Sequence, residues 1–153
     1  MPFCTFTSPV GMLRITASDS TLISILFTDE KTETRVPVHP LLKEAVRQLQ
    51  AYFNHELQRF DLPLQAEGTA FQIQVWKALL EVPYGRTASY LDIAKAIGNP
   101  KAVRAVGLAN GKNPLTIVVP CHRIIGTNGK LIGYGGGLWR KEWLLRHEGA
   151  ILL

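Results

Sequence analysis

The stretch from Asn54 to Gly68 divides this chain into two halves of different pattern. It has neither a helical nor a strand period and carries Pro63 and Gly68, so it reads as a linker. Before it, Phe3–Thr7, Met12–Ala17 and Thr21–Phe27 read as short strands, separated by turns at Ser8-Pro9-Val10-Gly11 and Ser18-Asp19-Ser20. Pro40 to Phe53 reads as a helix, with Leu42, Ala45, Val46, Leu49 and Phe53 at helical spacing. After the linker, Thr69-Ala70-Phe71-Gln72 fits a capping box opening a helix to about Glu81, whose buried face is Val75, Trp76, Leu79, Leu80 and Val82. Val82-Pro83-Tyr84-Gly85 stops it. Ser89 caps a second helix through Ile97, and Gly98-Asn99-Pro100 breaks the chain before a third, from Pro100 to about Asn110. The second and third form a helix-turn-helix pattern. Leu115 to Val119 reads as a strand, and Leu138 to His147 as a last amphipathic helix. The expectation is a mixed α/β (α+β) protein. Residues 1–68 form a small sheet-plus-helix domain; residues 69–153 form a mainly helical domain with a helix-turn-helix and a short strand.

Charge divides at the same place. Residues 1–68 hold six Lys/Arg against eight Asp/Glu, a net of −2, and residues 69–153 hold eleven against four, a net of +7. A basic second half predicts a polyanionic partner, nucleic acid first among them. No apolar run approaches the roughly 18 residues that a membrane-crossing helix needs, and Met1-Pro2-Phe3-Cys4 lacks the pattern of a secretory signal. The two cysteines, Cys4 and Cys121, do not make a disulfide scaffold. A reactive thiol requires a reducing compartment, so a cytoplasmic protein is expected.

The chemistry concentrates at Pro120-Cys121-His122-Arg123, where a thiol, an imidazole and a guanidinium follow a rigid proline. A thiol attacks as its thiolate, and a neighbouring imidazole or guanidinium lowers the cost of forming it. A carboxylate elsewhere in the chain would orient the imidazole, as in a catalytic triad. The third helix of this half is thin. Ala102, Ala105, Gly107 and Ala109 leave room for a close partner, Arg104 projects from it, and long base-reading side chains are scarce.

Pro120-Cys121-His122-Arg123, Asn113-Pro114, Phe71-Gln72-Ile73-Gln74-Val75-Trp76, Arg104-Ala105-Val106-Gly107 and the run from Lys141 to Gly149 occur in one order across residues 69–153. In this the chain resembles the O6-alkylguanine-DNA alkyltransferases, the methylated-DNA–protein-cysteine methyltransferases. The resemblance implies direct, single-turnover repair of double-stranded DNA carrying O6-alkylguanine, and possible action on O4-alkylthymine, with Cys121 taking the alkyl group. It implies that His122 deprotonates Cys121 through a water and that Glu148 holds the His. It further implies that Tyr90 protonates the leaving guanine and helps turn out the nucleotide, and that Asn113 ties the recognition helix to the active-site strand. It places Arg104 in the base stack and the thin helix, with Ala102, Ala105, Gly107 and Ala109, in the minor groove, where Arg123 and Tyr90 also face DNA. It implies a substrate pocket bordered by Val119, Pro120, Tyr134, Gly135 and Gly136. Gly135 stands where some relatives have Ser, which loosens that loop.

Residue chemistry agrees with these roles. Guanine O6 lies inside a duplex, so a protein thiolate reaches it only when the base is flipped. A thioether has no carbonyl for water to attack, so the protein is expected to be spent after one transfer. No cofactor is expected, nor a metal, because Cys4, His39 and His55 lack ligand spacing. A monomer in solution, with possible cooperative assembly on DNA, is expected. Two other classes fit parts of the pattern. A non-catalytic damage-sensing relative would lack the reactive Cys, and a Cys-His-Glu hydrolase would turn over repeatedly without Arg104 or the thin helix.

Overall fold

A computed structural model describes residues 1–28, 33–134 and 136–151, which separate into two compact units. Among the described residues, no helix is long and apolar enough to cross a membrane.

The first unit comprises Met1–Glu67 together with Pro114–Val118. Strands β1 (Phe3–Ser8), β2 (Gly11–Ala17) and β3 (Leu22–Thr28) form an antiparallel sheet in the order β1-β2-β3. Alternation sets its buried face: Leu13, Ile15 and Ala17 of β2 are inaccessible, whereas Arg14 between them is exposed. Helix α1 (Pro40–Phe53) packs on β1 and β2 through Leu42, Ala45, Leu49 and Tyr52. Its start follows from Pro40 at the first turn and from His39, whose Nδ1 accepts the Leu41 N–H at 3.1 Å.

The free edge of β3 is covered twice. Leu64 bridges Leu22, and Leu115 bridges Ile25, both in parallel. Buried Gln48 exchanges two 2.9 Å hydrogen bonds with the backbone of Asp61. The segment expected to be a linker is therefore fastened to the sheet, and a strand edge that would otherwise invite pairing with another chain is occupied.

The second unit comprises Gly68–Asn113 and Val119–Leu153. Helix α2 (Ala70–Leu79) opens with the expected capping box between Thr69 and Gln72 and ends two residues before Glu81. Helix α3 (Tyr90–Ala96) opens with a second box, between Ser89 and Asp92. Helix α4 (Val103–Gly111) begins at Val103, not Pro100, because Asn99 to Ala102 close a turn, with the Ala102 N–H donating to the Asn99 carbonyl at 3.0 Å. The connection contains Gly98 at φ +77°. Trp76 of α2 donates from Nε1 to the Ala109 carbonyl at 2.8 Å, fixing α4 against α2. Strands β4 (Ala88–Ser89) and β5 (Ile124–Ile125) pair in parallel, which brings the start of α3 beside the segment that follows Cys121. Helix α5 (Leu138–His147) closes the unit.

The expected strand at Leu115–Val119 is not formed. Leu115 bridges Ile25 of β3, and Val118 then donates to the Thr116 carbonyl at 2.9 Å across Ile117, whose φ is +73°. A β-branched residue there costs about 1–3 kcal/mol, and Ile117 is held by burial.

Candidate active site

Pro120 has φ −82° and ψ 62°, the geometry of an inverse γ-turn, and the Cys121 N–H donates back to the Val119 carbonyl at 2.8 Å. Proline supplies that φ without cost. Cys121, His122 and Arg123 then form one 3₁₀ turn leading into β5, so the thiol is presented by a turn, not by a strand as expected. Two asparagines from the end of α4 hold the backbone on either side of the thiol. Asn113 Nδ2 donates to the Val119 carbonyl at 2.8 Å, and Asn110 Nδ2 donates to the Cys121 carbonyl at 3.3 Å.

Cys121 is 5% exposed. Burial pushes its thiol above the ordinary value; a side-chain hydrogen bond with Asn113 and the charge of Lys141 pull the other way. Behind it, His122 Nε2 lies 2.7 Å from Glu148 Oε2, and both side chains are inaccessible. Arg123 completes the group: its Nε donates to Glu148 Oε1 at 2.8 Å, its Nη2 to Oε2 at 3.1 Å, and its Nη1 to the Val82 carbonyl at 2.7 Å. Burial disfavours the Glu148 charge, but His122 and Arg123 together outweigh it and hold the carboxyl at about 2. Burial pulls His122 below its ordinary value, against Glu148, so the imidazole is neutral at rest. Facing an ionised carboxylate, Nε2 carries the ring proton. Nδ1, buried and with no hydrogen-bond partner, is left as a basic lone pair.

Tyr90, the first residue of α3, is half-buried and donates to the Ile132 carbonyl at 2.9 Å. Burial, and then the Cys121 charge, raise its phenol. Tyr134 stands beside the thiol; burial, the Cys121 charge and a side-chain hydrogen bond with Cys121 raise its phenol further. Val119 and Pro120 are buried, Gly136 accepts from Arg140 Nη1 at 2.7 Å, and Gly135 lies outside the described residues.

On α4, Arg104 and Ala105 are exposed, Ala102 and Gly107 are intermediate, and Leu108 stands 68% exposed beside them. A Cβ on Gly107 would meet the Tyr90 ring at 3.8 Å. Two residues expected to face DNA are buried in the structure. Ala109 is buried with its carbonyl under Trp76, and Arg123 is 7% exposed with its guanidinium spent on Glu148 and Val82.

Asn110 and Lys141 carry no role in the reading of the sequence, yet both belong to this group. Lys141, Leu144, Leu145 and Glu148 recur at helical spacing and are all buried, so the charged ends of α5's apolar stripe were the available signal. Among the described residues no three His, Cys, Asp or Glu side chains converge to hold a metal ion.

A buried thiol backed by a neutral imidazole and an ionised carboxylate defines a cysteine-nucleophile site. Residues 70–150 match the DNA binding domain of 6-O-methylguanine DNA methyltransferase, and residues 3–66 match its ribonuclease-like domain. The chain belongs to the 6-O-methylguanine DNA methyltransferase family. It is 50% identical to a methylated-DNA–protein-cysteine methyltransferase of Methanosarcina acetivorans, over 98% of this chain and 99% of that one. A protein of the same description from Mycobacterium tuberculosis is 50% identical over 94% and 90% of the two chains. The crystal structure of Mycobacterium tuberculosis OGT in complex with DNA superposes with a TM-score of 0.88, at 50% identity over 97% of this chain and 92% of that one.

Proposed function

We propose that this protein repairs DNA by moving the alkyl group of O6-alkylguanine irreversibly to Cys121. The observation that carries the reading is the His122–Glu148 pair directly behind Cys121, which leaves Nδ1 as the basic atom of the site. The Cys121 proton passes through a water to His122 Nδ1. The thiolate attacks the alkyl carbon, the S–C bond forms as the C–O6 bond breaks, and the electron pair goes to the guanine. Tyr90 supplies the proton the leaving base needs, exchanging its bond to Ile132 for one to the base. The proton held at His122 balances the one Tyr90 gives up, leaving guanine and a neutral thioether.

The exposed side of α4 and its two flanks suit a minor groove: Arg104 on the helix and Lys101 and Lys112 beside its ends are exposed, and Ala105 is small. Contacts of that kind bind phosphate with little regard to sequence and weaken with salt. Arg104 takes the place of the flipped base. The presence of Cys121 disfavours a purely damage-sensing role.

The test compares two alkyl donors. Arg104→Ala is expected to slow methyl transfer from an O6-methylguanine duplex on the order of 10- to 100-fold, because unstacking a base costs a few kcal/mol. Transfer from free O6-benzylguanine, which needs no flipping, is expected to be unchanged. Equal losses on both donors would remove Arg104 from the flipping step.

A further inference from the structure

Lys141 is fully buried, yet among the described residues it has no carboxylate partner. Its Nζ donates instead to three backbone carbonyls: Ile124, Ile132 at 2.9 Å and Gly133 at 3.3 Å. Carbonyls satisfy its protons but supply no counter-charge, and a buried cation without one is costly. The Cys121 thiol is near enough for charge to act between the two: the Lys141 charge pulls the thiol down, and a charge on Cys121 raises the lysine. The same ammonium lies 5.9 Å from the Tyr90 ring centroid and shares the Ile132 carbonyl with the Tyr90 hydroxyl.

We infer that Lys141 is a positioning residue for alkyl transfer: clamped by the carbonyls of Ile124, Ile132 and Gly133, its ammonium stands as the fixed counter-charge to the Cys121 thiolate. The clamp also keeps the Ile132 carbonyl in place when Tyr90 releases it. His122 then removes the proton, and Lys141 stabilises the anion that remains. This inference rests on Cys121 being the nucleophile.

The titratable groups around the pair are His122, Tyr90 and Tyr134, with Glu148, Arg123 and Arg140 behind them. Burial pulls Lys141 down to about 8, so it is mainly charged at neutral pH and discharges above that.

The test is the pH dependence of Cys121 alkylation by iodoacetamide, a neutral reagent that needs neither DNA nor base flipping. Adducts are mapped by mass so that Cys4 does not contribute. In Lys141→Met the midpoint is expected to move to higher pH and the rate at neutral pH to fall about tenfold, the effect of one unit on the thiolate fraction. In Lys141→Arg, which keeps the charge, the midpoint is expected to stay closer to that of the unsubstituted protein. An unchanged midpoint in folded Lys141→Met, with only a lower Tm, would reduce Lys141 to a structural clamp. Should Lys141→Met fail to fold, the unsubstituted protein decides by 13C NMR of lysine Cε. Capping Cys121 with iodoacetamide is expected to lower the Lys141 midpoint, and an unmoved midpoint would overturn the pairing. Failure of methyl transfer from DNA alone would leave both readouts intact, so the two ideas fail separately.

Discussion

Cys121→Ser is expected to abolish methyl transfer while leaving binding to an O6-methylguanine duplex within a few-fold of the unsubstituted protein. A serine hydroxyl is far less acidic than a thiol, and neutral His122 is too weak a base to hold its alkoxide in a site that already disfavours charge at this position. The substitution removes little volume, and the exposed residues of α4 that face DNA in the proposed reading do not depend on it. Transfer of labelled methyl and fluorescence binding to the same duplex check the two halves. Retained transfer would place the nucleophile elsewhere. The chain's other thiol, Cys4, is inaccessible in β1 and pushed up to about 11 by burial, which makes it a poor substitute.

Glu148→Gln is expected to damage both rate and stability. Three N–H groups converge on the carboxylate: His122 Nε2, Arg123 Nε and Arg123 Nη2. A glutamine keeps one acceptor oxygen and turns an NH2 toward donors. If that NH2 faces His122, Nε2 must become the acceptor and the ring proton moves to Nδ1, the atom that has to receive the thiol proton. The analogous tautomer fault in a serine-protease triad costs about 10⁴ in rate, and a loss of about 10²- to 10⁴-fold in single-turnover transfer is expected here. Arg123 is also left buried and unpaired, which costs about 3–5 kcal/mol in urea unfolding. A rate within threefold of the unsubstituted protein would mean that Glu148 does not set the imidazole tautomer.

The same carboxylate gives stability a defined acid limb. Its folded pKa, about 2, lies below the ordinary 4.5, so its contribution is fully present above pH 4.5 and is lost as pH falls toward 2. The shift corresponds to about 3 kcal/mol. Glu148→Gln should flatten this limb of the stability-against-pH curve, as followed by Tm.

What was legible in the sequence was what local chemistry decides. The Thr69/Gln72 capping box and the Ser89 cap mark their helix starts because each is complete within four residues; the structure adds Asp92 as the partner of Ser89. Alternation in β2 and the period of α1 follow from one buried face each. Pro120-Cys121-His122-Arg123 reads as a candidate nucleophile because its residue types adjoin in sequence. The misreadings share a cause, which is a partner far along the chain. The apolar run at Leu115–Val119 has strand composition, but it pairs at isolated bridges, one of them to Ile25, and turns at Ile117. Arg123 reads as an outward cation because Glu148, 25 positions on, is what takes it inside. Lys141 drew no role from the sequence, and its spacing with Leu144, Leu145 and Glu148 is what betrays a buried position.

The most direct test of the central claim is the intact mass of the protein after mixing with excess duplex containing O6-methylguanine. A gain of one methyl per chain is expected, mapped to Cys121, with no further gain or turnover at longer times. An unchanged mass while the duplex is bound, or repeated loss of methyl from the DNA without a stable adduct on Cys121, would contradict it.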